Sequence, residues 1–262
     1  MDAFLCFQIV VTIKKTGKEE KMMSKDIIQV RAVQDREFKN SYWSFDIRSE
    51  LTKAFQEFQR QFGVGFELTG IGEWDSVGSP DLRDFPFNVI QMIPRRLSIE
   101  EIIEYLVGVC KKDMGVLLEV CQSERDEICS KMEGQSIAYQ LGFWEGRLES
   151  WLKECFFRDL EKKEIMDSGI GATIAFSGKF SIWLRSAGCV KTIGGIFTKD
   201  AYILIGNCPR SSKQPSKVIL HEIGHLFGAK HTKYFRSVMK SGQQSTYKFD
   251  FWNKRRILNK IK

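Results

Sequence analysis

Residues 218–231 read VILHEIGHLFGAKH, and this stretch decides how the rest of the chain is interpreted. His221 and His225 are four residues apart, so on an α-helix their imidazoles lie on one face, one turn apart. Two imidazoles placed in this way can bind one Zn²⁺. Glu222 projects beside them, where it can reach a water molecule on the metal without being a ligand. The apolar residues on the side of this helix opposite the two histidines predict that the helix packs on a sheet.

The stretch also contains a third candidate ligand, His231. A continuous helix would carry this residue away from the metal, but Gly228 can adopt a positive φ, end the helix and let His231 return. The chain has three histidines, and all of them are in this motif. The sequence therefore predicts one catalytic Zn²⁺ with three histidine ligands and a fourth position open to water. Glu222 is the predicted general base.

These positions resemble the extended motif of the metzincin clan of zinc peptidases, H-E-x-x-H-x-x-G-x-x-H followed by a Met-turn. Met239 resembles the Met-turn residue, which in the clan lies beneath the metal without binding it. Thr232 after the third histidine, and Met239 eight residues after that histidine, are similar to matrixin spacing. No proline follows Met239, unlike the usual matrixin turn, so the subfamily stays open. The resemblance implies a zinc-dependent endopeptidase that hydrolyses peptide bonds with zinc-activated water.

The resemblance also implies an α/β (α+β) zincin-like fold, with a twisted mixed sheet, an active-site helix and a small C-terminal subdomain after the third histidine. Residues 1–40 are then an N-terminal extension or the region of the first strand. Residues 41–231 form an upper catalytic subdomain that could hold an insertion at 72–168. Residues 232–262 form a lower subdomain with the Met-turn and a terminal helix.

Local patterns predict the individual elements. The predicted strands are 27–33, 42–47, 66–71, 116–120, 169–177, 192–197 and 201–206. The predicted helices, besides the one with the motif, are 50–62, 98–112 and 143–163. By resemblance to the clan, residues 249–262 form the terminal helix of the lower subdomain. By resemblance, Gly194, Gly195 and Ile196 lie near the edge strand that pairs with an extended substrate.

Composition limits the other classes of protein. Hydrophobic residues make up 43% and charged residues 28% of 262, which is ordinary globular usage, and no apolar run is long enough for a transmembrane helix. The first residues lack the charge pattern of a signal peptide, and the seven cysteines form no C-x-x-C pair. Both observations favour a reducing, cytoplasmic location, whereas the clan is mostly secreted. The oligomeric state is not predicted.

Three alternative functions remain open at this point. The first is a binding module on a zincin fold without catalysis, of which a missing glutamate would be the sequence mark. The second is a metallohydrolase of a non-peptide amide. The third is a basic nucleic-acid-binding protein with a structural metal, given the net charge of +7. Because no nucleic-acid-binding motif is present, the basic C-terminal residues are interpreted as the solvated side of the terminal helix, and no specific nucleic-acid partner is predicted.

Overall fold

The computed structural model describes residues 27–41, 44–77, 79, 81, 150, 152–161, 171–181, 188–192, 201–207, 214–241 and 245–261. The strands are β1 (Ile27–Gln34), β2 (Gly65–Glu73), β3 (Ala172–Ser181), β4 (Gly188–Thr192) and β5 (Ala201–Asn207). The helices are α1 (Arg36–Lys39), α2 (Ile47–Phe62), α3 (152–161), α4 (Pro215–Leu226) and α5 (Phe251–Ile261). The predicted helix 98–112 and strand 116–120 lie outside the described residues.

The five described strands form one mixed sheet in the order β2-β1-β3-β5-β4. Strands β2, β1, β3 and β5 run parallel, and β4 pairs antiparallel with β5 at one end of the sheet. The central position of β1 explains its buried, β-branched and alternating sequence IIQVRAVQ. The predicted mixed α/β fold is confirmed. The helix that contains His221 and His225 packs on the sheet.

Helices α2 and α4 pack together on one face of this sheet, through a layer of aromatic rings. The ring of Phe58 on α2 lies 4.7 Å from that of Phe227 at the end of α4, and Phe62 lies 5.2 Å from Phe249 near the C-terminus. Edge-to-face and tilted ring pairs of this kind add about 0.5–1.5 kcal/mol each beyond the burial of their area. The aromatic layer therefore holds α4 and the C-terminal segment against α2.

Polar contacts from α2 also position α4 and the segment after it. The N-cap residue of α4, Gln214, provides no side-chain cap, and the Glu50 carboxylate of α2 instead accepts a hydrogen bond from the Ser216 amide at 2.9 Å. The Gln61 side chain donates to the Tyr247 carbonyl at 2.8 Å and accepts from the Phe249 amide at 3.2 Å. Orphan backbone groups at helix ends are satisfied in this way from a neighbouring element.

Helix α3 packs on the opposite face of the sheet. The Phe157 ring lies 6.4 Å from Tyr202 of β5, and Phe156 lies 5.3 Å from Phe180 of β3. Tyr202 alternates with the core residue Ile203, so its side chain emerges on the other side of the strand. The described part of the predicted helix 143–163 is thus helical.

A cluster of buried polar groups surrounds Asp35, immediately after β1. One Asp35 oxygen accepts hydrogen bonds from the amides of Phe38 at 2.6 Å and Gly178 at 2.9 Å. The other accepts from the hydroxyls of Ser177 at 2.5 Å and Ser76 at 3.2 Å. These five residues, the Asp35 cluster, join the ends of β1 and β3 to the chain that leaves β2.

One sequence-based prediction of local structure is wrong. Residues 42–47 were expected as a strand, but 44–46 are irregular and Ile47 begins α2, because the Asp46 carboxylate accepts from the Ser49 amide as an N-cap. Of the strand expected at 192–197, Thr192 is the last residue of the described β4, and residues 193–197 lie outside the described residues. None of the described helices has the length and hydropathy needed to cross a lipid bilayer.

Candidate metal centre

The three histidine side chains converge on one point. The Nε2 atoms of His221, His225 and His231 lie 3.1 Å from one another in all three pairs. His221 is buried, His225 is half-buried and His231 is exposed, so the cluster has one side toward solvent. The structure therefore brings together the three residues that the motif singled out, in a group that could hold a metal ion.

Gly228 makes this convergence possible. Helix α4 ends at Leu226, and Gly228 has a φ of +79°, a conformation that L side chains rarely adopt. Its amide donates to the His225 carbonyl at 2.9 Å, and the next amide, of Ala229, donates to the Gly224 carbonyl at 2.9 Å. This left-handed turn reverses the chain and returns His231 to the histidines of α4.

Backbone carbonyls fix the orientation of two of the rings. The Nδ1 atom of His221 lies 2.7 Å from the Val238 carbonyl oxygen, and Nδ1 of His225 lies 2.9 Å from the Ala229 carbonyl oxygen. A carbonyl only accepts, so each Nδ1 holds the proton and each Nε2 has a lone pair. A backbone carbonyl that accepts the free ring N–H of a ligating imidazole, and so orients the ring, is a common feature of metal sites.

The resulting contacts fit a metal better than a hydrogen-bond network. The 3.1 Å contact between Nε2 of His221 and Nε2 of His225 places two lone pairs face to face, so it is not a hydrogen bond. Three nitrogen ligands of a tetrahedral Zn²⁺ at about 2.0–2.1 Å lie about 3.3–3.4 Å apart, close to the separations observed. The donor set and its spacing therefore suit a divalent transition metal such as zinc.

Burial keeps the imidazoles in the neutral state that metal binding requires. Desolvation, together with the charges of His225 and His231, lowers the pKa of His221 to about 3, although the hydrogen bond to the Val238 carbonyl opposes this shift. Desolvation also lowers the pKa of His225 and that of His231. Each ring can thus present its lone pair without first losing a proton at neutral pH.

Glu222 lies on the same helix and is almost fully buried, with 5% of its surface exposed. Among the described residues, no donor makes a hydrogen bond to its carboxylate. Burial raises the pKa of Glu222 to about 8, and the charge of Lys153 on α3 acts in the opposite direction. Burial without a hydrogen-bond donor from the described part of the chain thus makes the Glu222 carboxyl a weaker acid than an exposed glutamate.

Met239 is completely buried beneath α4. A methyl group placed on Gly224 would come within 2.7 Å of the Met239 sulfur and 2.6 Å of the Phe249 ring, so the absence of a side chain at Gly224 lets both pack against the helix between the two histidines. The residue before Met239 is Val238, whose carbonyl orients His221. Met239 therefore supports the cluster from below through packing and through its neighbour's backbone.

Two residues near this centre were not found from the sequence. Lys153 acts electrostatically on Glu222, His225 and His231, although it precedes them by about 70 positions. Asn253 on α5 accepts from the Lys230 amide at 2.8 Å and donates to the Lys230 carbonyl at 3.0 Å, which fixes the backbone just before His231. The one sequence signal for the contact with Lys230 is that a polar residue, Asn253, occurs within the apolar stripe of a helix.

Of the predicted substrate-strand residues, Gly194, Gly195 and Ile196 lie outside the described residues. The terminal strand of the described sheet is β4, which contacts α4 as well as β5. The described strand next to the histidine helix is therefore Gly188–Thr192.

Comparisons with known proteins give structural similarities only. No protein-family model matches the sequence, and a search of curated proteins finds no match. Metalloproteinase-II from Bacteroides fragilis is 12% identical, with a TM-score of 0.40 over 92% of this chain and 56% of that one. An archaemetzincin from Methanopyrus kandleri is 9% identical, with a TM-score of 0.42 over 90% and 96% of the two chains.

A third similar structure is a zinc-dependent peptidase from Methanocorpusculum labreanum, which is 10% identical, with a TM-score of 0.35 over 87% of this chain and 99% of that one. The present chain spans little more than half the length of the Bacteroides protein. With identities and TM-scores this low, a functional conclusion depends on the chemistry of the chain's own residues.

Proposed function

We propose that the protein is a zinc-dependent endopeptidase of the metzincin type. The observation that carries this proposal is the convergence of three neutral imidazoles, with their Nε2 atoms 3.1 Å apart, beside a buried carboxylate. His221, His225 and His231 would bind one Zn²⁺, and Glu222 would act as the general base. When bound, the ion supplies Lewis acidity to water and to the scissile carbonyl.

The chain's own residues supply the positioning and the proton transfers. The carbonyls of Val238 and Ala229 hold two imidazoles with their lone pairs toward the ion. Glu222 removes a proton from the attacking water and delivers it to the departing amine nitrogen. Its place on α4, directly after His221, supports this role. Gly228 and Met239 support the site without taking part in the chemistry.

An extended peptide is the substrate shape that the sheet favours. Strand β4 is at one end of the described sheet and next to α4, so a peptide could add to it as a further strand beside the histidines. The substrate segment proposed from the sequence, Gly194–Ile196, directly follows this strand. In this proposal the cleft runs between an upper subdomain, 41–231, with its insertion at 72–168, and a lower one, 232–262.

The test is to measure zinc content and cleavage of a peptide library for the wild type and Glu222→Gln. We expect about one zinc per chain in both proteins, and a loss of turnover of about 10²–10⁴-fold in the variant, the usual contribution of a general base. The matched control is Glu67→Gln, which makes the same change at an exposed position on β2 and should cleave normally.

Other outcomes would assign the alternative functions. Normal cleavage by Glu222→Gln would remove the general-base role. A zinc-loaded wild type that cleaves no peptide but hydrolyses small amides would be a non-peptide hydrolase. If it cleaves neither, the chain is a binding module on this fold.

A further inference from the structure

Positive charge is concentrated at the C-terminal end of the chain. Residues 230–262 contain ten of the 40 lysine and arginine residues and one of the 33 aspartate and glutamate residues. The net charge of this segment is therefore +9, whereas residues 1–229 have a net charge of −2. The one acidic residue, Asp250, accepts hydrogen bonds from Ser237 and Asn253 within the segment, so its carboxylate is engaged internally.

One face of α5 anchors the helix to the protein. Asn253 and Ile257 are buried, one turn apart, and Ile261 is half-buried a further turn along. Asn253 binds both backbone groups of Lys230, and the Asp250 carbonyl accepts from the Lys254 amide at 2.9 Å. The orientation of α5 about its axis is thus fixed by these contacts.

The opposite face of α5 presents large apolar side chains together with cations. Phe251 is 70% exposed, Trp252 is 65% exposed and Leu258 is 43% exposed. The exposed cations on the same helix are Arg255, Arg256 and Lys260. Lys260 follows Asn253 by seven residues and therefore lies on the anchored side of the helix, so the other five residues are called the outer face of α5. A helix that is merely solvated has a polar outer side, so this composition differs from the one expected for a solvated terminal helix.

We propose that the outer face of α5 binds the surface of an anionic lipid bilayer. An interfacial helix places Trp, Phe and Leu at the level of the headgroups, while Arg and Lys contact anionic lipids. Trp is typical of this interface, and basic residues near an anionic leaflet add to the binding. The charge of the C-terminal segment is complementary to such a surface.

The geometry favours a bilayer over a nucleic acid. The rings of Phe251 and Trp252 meet at 77° with their centroids 5.4 Å apart, so they do not form parallel platforms on which successive bases stack. Leu258 offers no surface for stacking. An aliphatic side chain one turn after Arg255 instead suits the boundary between headgroups and acyl chains.

Binding at this face would hold the candidate metal centre close to the membrane. Asn253 is on α5, and its side chain fixes the backbone of Lys230, the residue before His231. A lipid-bound α5 would therefore bring the histidine cluster to substrates that are themselves at the bilayer. This placement does not depend on zinc or on Glu222, so membrane binding can be tested apart from peptidase activity.

The experiment is cosedimentation of the full chain with vesicles of phosphatidylcholine alone or with about 30% phosphatidylserine. We expect binding to the anionic vesicles, weakened by salt, and a loss of at least about tenfold in the partition coefficient for Arg255→Glu/Arg256→Glu. Phe251→Ala/Trp252→Ala should cause a comparable loss. The matched charge control is Arg48→Glu/Arg60→Glu on α2, whose side chains are also exposed and which should bind like the wild type.

A second measurement reports on the position of Trp252. Brominated lipids should quench part of the tryptophan fluorescence of the wild type, and this quenching should fall in Trp252→Phe while vesicle binding is retained. Equal binding to neutral and anionic vesicles, or unchanged binding after Phe251→Ala/Trp252→Ala, would overturn the proposal. Salt-dependent retention on DNA, RNA or an acidic protein without vesicle binding would also overturn it and assign the face to that partner.

Discussion

Two clusters of polar side chains in the described part of the chain differ in whether their groups satisfy one another. In the Asp35 cluster, both carboxylate oxygens accept hydrogen bonds from two amides and two hydroxyls. In the histidine cluster, the lone pairs of His221 and His225 face each other at 3.1 Å. The first arrangement is complete in the protein alone, and the second becomes favourable only with a cation between the rings.

The size of the neighbouring cavity does not explain this difference. The Asp35 cluster borders a cavity of about 720 Å³, which also reaches Glu73 and Lys179. Yet the Lys179 ammonium already donates to the Ser76 carbonyl, and Glu73 already pairs with Lys39. Unmet hydrogen-bonding capacity therefore distinguishes the histidine cluster from the Asp35 cluster, whereas the volume of the neighbouring cavity does not, because buried polar groups are normally satisfied.

The largest effect should come from removing a histidine. In His225→Ala we expect peptidase activity to fall by about 10³-fold or more, because the ion contributes several kcal/mol to the transition state. A chelator should lower the melting temperature of the zinc-loaded wild type, since a ligand that binds only the folded state stabilises it by about 4 kcal/mol at 1,000 times Kd. In His225→Ala, the chelator should change the melting temperature very little. A full chelator effect in His225→Ala would contradict the assigned ligand.

The next largest effect should come from opening the satisfied cluster. Asp35→Ala leaves the buried amides of Phe38 and Gly178 without an acceptor, and we expect a loss of about 3 kcal/mol in the free energy of unfolding. Zinc content should stay near that of the wild type. Urea unfolding with a metal assay checks both values. Loss of zinc with an unchanged free energy of unfolding would contradict this, because it would mean that Asp35 supports the metal site and not the stability of the fold.

A smaller effect is expected where packing supports the histidines. In Gly224→Ala, the added methyl group would meet Met239 and Phe249 at 2.7 and 2.6 Å, so one of them must move. Overpacking of this kind costs about 1–3 kcal/mol. Because Val238 precedes Met239, we also expect weaker zinc binding in a competition titration. The control is Gly70→Ala on β2, where a methyl group meets nothing within 4 Å. Equal zinc affinity in Gly224→Ala and wild type would separate Met239 from the metal site.

The smallest effect is a pH dependence of the Asp35 cluster. Burial raises the pKa of Asp35 above its ordinary value of 3.8, although hydrogen bonds from Ser177, Gly178 and Phe38 oppose this shift. The folded protein then binds the proton more tightly than the unfolded chain. Stability that is present below pH 3.8 should therefore be lost as the pH rises through the raised folded pKa.

This pH dependence can be measured by urea unfolding between about pH 3 and pH 7, for the wild type and Asp35→Asn. The variant has no carboxyl group at this position, so the stability of the wild type relative to it should decline with rising pH. Glu67→Gln provides the control for an exposed carboxylate. A relative stability that instead increases with pH would mean that the hydrogen bonds outweigh desolvation.

The histidine site could be predicted from the sequence because its geometry is local. His221 and His225 are separated by one helical turn, and Gly228 has the positive φ that the return of His231 requires. The Asp35 cluster had no comparable signal, since Ser177 is 142 positions from Asp35 and reaches it only through the pairing of β1 with β3. Contacts between residues this far apart along the chain depend on the pairing and register of the strands. The periodicity of apolar residues in the sequence does not give that register.

The error in local structure has a similar origin. Strand-like residues in 42–47 suggested a strand, but the N-cap of Asp46 and the long amphipathic pattern of α2 determine that segment. Intrinsic strand propensity is a weak guide where capping or pairing decides.

The order of the strands has a consequence for biosynthesis. Strand β1 pairs with β2 on one side and with β3 on the other, yet β3 begins about 100 residues after β2 ends. At about 5–20 residues per second, a ribosome needs about 5–20 seconds to make that interval. During this time, β1 of the nascent chain cannot pair with β3, because β3 has not yet been synthesised. Chaperone occupancy or an aggregation-prone pause should therefore concentrate in this window of translation.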